Sequence, residues 1–504
     1  MFRDVVRSVA RNTSIMFVQL LITWSSSFLL MLFLPRYLGP VEYGRIFVAS
    51  STNMIFGIFV QYSGNYWVAK NVSRFRSSTG QILVDAVAYR FILGIACLGA
   101  MMLFGYVIGY SSTVQLYLFI MGIGLLWQGA STTLTACFQG HEVMQYTSAG
   151  VITQQVFVSL VSVAALLMGA SAVVIVIIGV SGGFLSFLVL SYFSRKIVTS
   201  LPRVDWRGVR RQMKEGLPYL LFGLFSTFYY RINSVILAKM VSDDEVGWFG
   251  AAYRLFEIMN FLPSIFSVAV YPVLSRLWKE EVNIHRRTTQ KGLEFMIMAG
   301  VPISILLAMF AEHLVSLFYA SQYVGSIIVL QVLAVGLVFL YVDMILGTTL
   351  IASDKQKNMS FISLAAIPIS VGLNLLLIRY FQQQYDNGGI GAAIATGATE
   401  IVIMSFMLAS MPKGIFTGFR KAVIVKVFMS GVLMTGTLSL MATGHVNWIV
   451  AGLIGSVVYC VGLFLLKTFE AKETEYLLLL LSIRNLRAFA NLLGLGKTND
   501  ATIE

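Results

Sequence analysis

Leu34-Pro35-Arg36 … Glu42-Tyr43-Gly44 is followed, 203 residues later, by Leu237-Ala238-Lys239 … Glu245-Val246-Gly247. Each segment joins two apolar runs: 13–34 and 45–67 flank the first, 216–241 and 246–274 the second. Runs of this kind, about 20 residues long, can cross roughly 30 Å of hydrocarbon. A constant offset between matched positions indicates one unit used twice. Because the offset contains an even number of runs, the second copy enters the membrane as the first does, so the copies are related by an axis along the membrane normal.

The composition demands lipid as solvent. Of 504 residues, 57% are hydrophobic and only 12% charged, against about 45–50% and 25% in soluble chains. Apolar runs recur to 446–467, about fourteen in all. They are expected to be helices, since open strands would leave backbone groups unpaired in lipid. The expected fold class is therefore all-α, a polytopic membrane protein of two six-helix lobes plus two extra C-terminal helices. The expected boundaries are an N-terminal lobe at 1–193, a basic linker at 194–215, a C-terminal lobe at 216–411, helices 13 and 14 at 412–467, and an amphipathic tail at 468–504. The first run follows Arg3, Arg7 and Arg11 as a signal peptide would, but it is too long and lacks a small-residue cleavage site, so an uncleaved anchor is expected. Cys97, Cys137 and Cys460 all fall inside runs without C-x-x-C spacing, which suggests neither a disulfide framework nor a metal site.

Of the 36 lysines and arginines, 30 fall on one side when connections are assigned alternately, with only Arg36, Arg45, Lys239 and Arg379 opposite. The positive-inside rule then places both termini and the linker, with Arg203, Arg207, Arg210, Arg211 and Lys214, in the cytoplasm. A net charge of +13 also suits nucleic acid, but these cations lie in short loops without an aromatic-interleaved basic domain. Membrane phospholipid headgroups are the expected partner, and nucleic acid is not.

Polar residues recur at helical spacing on four runs. The first carries Asn12, Gln19, Thr23 and Ser26; the second Ser50, Asn53, Gly57, Gln61 and Gly64; the seventh Gly223, Thr227, Tyr230, Arg231, Ser234 and Ala238; the eighth Gly250, Arg254, Glu257 and Asn260. Such stripes either face a cavity or let helices approach. Arg231 favours a cavity, because a guanidinium near mid-span costs several kcal/mol unless water, a carboxylate or a ligand receives it. Glu257 sits at i+3 from Arg254 and can neutralise it within the helix. Asp343 and Glu400 are further membrane-embedded acids, each either a carrier of H+ or Na+ or a structural partner for an arginine. Glu257 joins them as a candidate coupling group. Asp85, Arg90 and Glu294, near helix starts, are expected at the interface.

Arg36-Tyr37-Leu38-Gly39-Pro40-Val41-Glu42-Tyr43-Gly44, Tyr230-Arg231-Ile232-Asn233-Ser234-Val235-Ile236-Leu237, Glu245 through Leu255 and Tyr271-Pro272-Val273-Leu274-Ser275 together resemble the polysaccharide transporter family, whose best-known members are Wzx-type O-antigen flippases. The resemblance implies two six-helix lobes around a central cavity, alternating access, and a cargo of undecaprenyl-pyrophosphate-linked oligosaccharide carried to the outer leaflet of a bacterial inner membrane. It also brings in a polysaccharide polymerase and chain-length machinery as further partners. Many relatives resemble Arg-Ile-Asp where this chain has Arg231-Ile232-Asn233, which implies a free, anion-seeking Arg231.

For such a cargo, Arg231 and Arg254 would grip phosphate oxygens, while Asn53, Gln61, Thr227, Tyr230 and Asn260 would hydrogen-bond sugar hydroxyls. The first alternative, an ion-coupled drug or organic-cation antiporter of the same superfamily, calls for a carboxylate-dominated cavity rather than arginines. The second, a membrane polysaccharide polymerase, calls for a large outer loop with catalytic groups, and the expected outer connections are short. No Walker-type segment is present, and no cofactor or catalytic residue is expected.

Overall fold

A computed structural model describes residues 2–61, 64–198, 200, 202–444 and 446–469. The helices in chain order are α1 (Phe2–Val60), α2 (Gly64–Arg74), α3 (Thr79–Ile108), α4 (Ser112–Gly140), α5 (Met144–Leu167), α6 (Ala172–Ser194), α7 (Trp206–Met240) and α8 (Asp243–Met259). They continue as α9 (Phe261–Glu280), α10 (Val282–Met309), α11 (Ala311–Phe318), α12 (Gly325–Ala352), α13 (Gln356–Tyr385), α14 (Gly388–Ser410), α15 (Lys421–Thr443) and α16 (Trp448–Leu465).

Among the described residues, twelve helical stretches are long and apolar enough to cross a membrane, fewer than the fourteen or so expected. The first of them, Val18–Val60, runs 43 residues, but Gly39, at φ 74 and ψ 169, interrupts it and Pro40 begins a second helical segment. Those angles are open to glycine and almost nothing else. α7 is not among the twelve. Its opening turns carry Arg207, Arg210, Arg211 and Lys214, so the second half of the 194–215 linker is the beginning of a long helix rather than a separate surface segment. The tail expected at 468–504 lies outside the described residues from position 470 onward.

Helices α1, α3, α4, α5 and α6 pack among themselves, as do α7, α8, α10, α12, α13 and α14, while α15 and α16 pair together and lean on α10. Between the two sets, the main seam runs along α1 against α7 and α8. Side chains such as Leu103, Val107, Leu376, Val432, Leu440 and Leu453 point outward and exposed, the pattern of helices whose surroundings are hydrocarbon.

The seam is tightest where the repeated segments meet. A methyl group added to Gly44 would overlap the Asp243 carbonyl oxygen, and one added to Gly247 would overlap that of Pro40. Position 44 and position 247 are related by the same 203-residue offset, as are 40 and 243, so the contact is reciprocal in the manner of a two-fold interface. Arg45 ties the crossing laterally, with Nε 2.6 Å from Asp243 and Nη1 2.7 Å from Glu42.

At the other end of the seam, the linker is held to the first set of helices. Asp85 accepts from the Asp205 backbone N–H and from Gln81, both at 2.8 Å, and Gln81 also donates to the Arg203 carbonyl at 3.0 Å. Trp67 Nε1 donates to Glu215 at 2.9 Å. Arg90 departs from the interfacial expectation. It is fully buried, and its Nη1 donates to Thr133 and Thr132 hydroxyls at 2.7 and 3.0 Å, linking α3 to α4. Glu294 is likewise buried, against Lys291 at 2.9 Å.

Candidate functional site

Arg231 is not free. Its Nη2 lies 2.9 Å from Glu257 Oε1, and Arg254 Nη1 lies 3.4 Å from Glu257 Oε2, so one carboxylate bridges two guanidinium groups from α7 and α8. This corrects the expectation drawn from Asn233: the missing neighbouring carboxylate is replaced by one 26 positions along the chain. The i+3 pairing of Arg254 with Glu257 is present, but it is the longer of the two contacts. The side chains of Arg231, Glu257 and Arg254 are 16%, 24% and 43% exposed, so the triad is open on the Arg254 side. The Arg231 guanidinium also stands 5.9 Å from the centre of the Tyr253 ring, within cation–π range.

Tyr230 and Asn260 line a narrow cleft with Asn233, Tyr253, Phe256, Leu340, Thr396 and Glu400. Its free space is about 10 Å³, room for roughly one water molecule. Asn260 Oδ1 is buried without a hydrogen-bond partner. The arrangement is closed to an oligosaccharide, so any such cargo requires the helices to part.

The acids Asp343 and Glu400 are brought together. Both are buried near one another, Asp343 on α12 and Glu400 on α14, and neither carboxyl oxygen of Asp343 has a hydrogen-bond partner. Glu257 stands apart from this pair, in the arginine triad.

Other expected site residues are dispersed. Among the described residues, no hydrogen bond or ion pair joins Asn53, Gln61 or Thr227 to the arginines; Asn53 Oδ1 is buried and unpartnered, and Gln61 ends its helix. On the first run, Gln19 accepts from Ser148 at 2.7 Å, which is helix packing rather than a cavity lining. Within the stripes of α7 and α8, Gly223 stands against Ile58 and Gly250 against the Phe47 ring, both on α1.

One cluster was not singled out from the sequence. Asn233 donates to Thr396 at 2.9 Å and accepts from Ser370 at 3.0 Å and Asn374 at 2.8 Å. These uncharged groups join α7, α13 and α14 inside the second set of helices. The available signal was three polar residues on otherwise apolar runs, without any sign that they meet.

The profile of the family described as polysaccharide biosynthesis protein matches residues 9–278, and that of MatE matches 218–376. Staphylococcus aureus capsular polysaccharide biosynthesis protein CapF is 26% identical over 174 residues, 34% of this chain and 42% of its own. A Haloferax volcanii protein, Agl15, named as a low-salt glycan biosynthesis flippase, is 22% identical over 49% of this chain and 52% of its own. The chain thus spans about half the length of these two relatives. An Escherichia coli K12 protein named as an O-antigen transporter is 23% identical over 80% of this chain and 96% of its own. Two solved structures share the fold: lipid II flippase MurJ in an inward closed conformation, with TM-score 0.68, 14% identity and coverage of 90% of this chain and 98% of that one, and an inward-facing multidrug MATE transporter, with TM-score 0.65, 13% identity and coverage of 80% and 97%. With the first profile matching more than half of this chain, the chain belongs to the polysaccharide biosynthesis protein family.

Proposed function

We propose that this protein is a flippase carrying an undecaprenyl-pyrophosphate-linked oligosaccharide from the cytoplasmic to the outer leaflet of a bacterial inner membrane by alternating access, for cell-surface polysaccharide synthesis. The observation that carries the reading is the pair of arginines, Arg231 and Arg254, held on helices of the seam between two helix sets. Glu257 is one carboxylate shared by both, so a positive charge is left over for a further anion, and the pyrophosphate of a lipid-linked glycan is one whose apolar tail can remain in the bilayer. The names of the relatives support the same cargo class. On this reading the two lobes are 1–193 and 216–411, joined by the linker 194–215, with 412–467 appended; Tyr230, Asn260, Asn53, Gln61 and Thr227 meet the glycan as the lobes part. A polysaccharide polymerase and chain-length machinery are the partners that would receive the product. The test is reconstitution into liposomes with a polyprenyl-pyrophosphate-linked oligosaccharide, scoring glycan accessible to an impermeant lectin. Protein-dependent exposure is expected; exposure equal to that of empty liposomes, or transport of an organic cation instead, overturns the reading.

Both termini and the linker face the cytoplasm in this proposal. Ser111, Ser242 and Ser200 are all exposed, so each can report its side once replaced by cysteine. In intact cells an impermeant thiol reagent should label Ser111→Cys and Ser242→Cys but spare Ser200→Cys. Labelling of the last alone inverts the topology.

Asp343 and Glu400 are proposed as the ion-coupling pair, with H+ as the coupling ion because taking up a proton is how neighbouring buried carboxyls avoid uncompensated charge. Asp343→Asn and Glu400→Gln should each abolish the stimulation of transport by a pH gradient while leaving cargo binding within about twofold of wild type. A parallel loss of binding would reassign the pair to structure.

A further inference from the structure

Resting on the phosphate-binding reading of Arg231 and Arg254, we propose that Glu257 is an internal stand-in for the cargo's pyrophosphate, occupying both arginines in the unloaded protein and displaced when cargo binds. The geometry is that of a placeholder rather than an optimal ion pair. An arginine fork matches a carboxylate best through two parallel bonds, yet Glu257 offers one oxygen to each arginine, at 2.9 Å to Arg231 Nη2 and 3.4 Å to Arg254 Nη1. Each guanidinium has five N–H donors, so most remain uncommitted to Glu257. Two cations against one anion leave the triad with a surplus positive charge. A pyrophosphate brings more oxygens and more negative charge than one carboxylate, and can engage both forks at once. The approach is from the Arg254 side, whose side chain is 43% exposed while that of Arg231 is 16% exposed.

The stand-in solves two physical problems. Without it, two guanidinium groups would sit uncompensated in low dielectric whenever the site is empty, at a cost of several kcal/mol. With it, binding is weakened by the contact that must be broken, which keeps affinity low enough for release on the far side. An exchanging site therefore turns over faster than a permanently cationic one.

The measurement is the affinity of the purified full chain for farnesyl pyrophosphate, with farnesol as the uncharged control, in parallel with surface display of polymer in a deletion strain. Glu257→Gln should bind farnesyl pyrophosphate about tenfold tighter than wild type, as expected for removing one competing charge, while display falls because release slows. Glu257→Asp keeps the charge but is one methylene shorter and can hold only one arginine, so its affinity should lie between the two. If the Arg231→Ala/Arg254→Ala double variant binds as wild type does, the phosphate site itself is wrong. If the double variant loses binding but Glu257→Gln binds no tighter than wild type, the stand-in role alone is overturned. Should Glu257→Gln not purify in folded form, Glu257→Asp decides: tighter binding supports the role, and equal or weaker binding removes it.

Discussion

Arg231→Glu, expressed at normal level in a deletion strain, should leave almost no polymer on the cell surface. The substitution removes the 2.9 Å contact to Glu257 and sets two carboxylates against each other where one had bridged two cations. It also turns the less exposed half of the proposed pyrophosphate site from attraction to repulsion. Losing one partner of a hydrogen-bonded, desolvated charge pair costs about 2–5 kcal/mol, and charge reversal adds to that, so a fall in display of roughly a hundredfold or more is expected. Arg231→Ala should lose most display and Arg231→Lys should retain part of it, since an ammonium keeps the charge but not the planar fork. Arg254 should follow the same order with smaller losses, because it is more exposed and its contact to Glu257 is longer. Display and immunoblot together give the answer: normal polymer from a well-expressed Arg231→Glu variant would return this arginine to a purely structural role.

Gly247→Ala should be nearly as damaging, for steric rather than electrostatic reasons. The atoms that an added Cβ would meet belong to the Pro40 backbone, which cannot turn aside as a side chain would. Overpacking of this kind costs about 3 kcal/mol at the upper end of its usual range, a shift of roughly a hundredfold in the ratio of closed to open crossings. On the proposed topology the crossing shuts the outer mouth, so the variant should rest open to the outside and export poorly. Spin labels at the exposed positions Val41 and Ser242 should report a longer separation than in the otherwise unaltered protein. Gly99 is the control, since nothing lies within 4 Å of a Cβ added there, and Gly99→Ala should change neither distance nor display. An unchanged distance together with unchanged export in Gly247→Ala would show that the crossing does not need to close.

Periodicity and charge made the membrane fold and the repeated segments legible, because each depends on spacing along one helix or on a constant offset. Partners across helices were not legible. Glu257 was visible only as the i+3 neighbour of Arg254, since a linear reading supplies no distance to Arg231, which proves the nearer arginine. Asn233 read as the loss of a carboxylate, whereas in the folded chain it is the centre of contacts with residues up to 163 positions away. The same limit hid the meeting of Asp343 with Glu400. It also hid the docking of the linker on Asp85, where a methyl group added at Gly208 would come within 2.6 Å of the carboxylate. Polar stripes show which face of a helix is unlike the others; what that face meets is decided by tertiary packing.

The reciprocal contact of Gly44 with Gly247 has a consequence for how this interface could have arisen. In a homodimer of one six-helix ancestor, every residue at the axis would appear twice, and any ion pair across it would come with its mirror image. Here Arg45 reaches Asp243, but the position matching Arg45 is Trp248 and the one matching Asp243 is Pro40. Trp248 instead donates to the Gln322 carbonyl at 2.8 Å. A single, unmirrored ion pair beside a mirrored glycine contact is open to two halves of different sequence and closed to two identical ones. The glycine contact keeps the two-fold relation because backbone against backbone leaves no room for a side chain, while the flanking side chains make one half the donor and the other the acceptor.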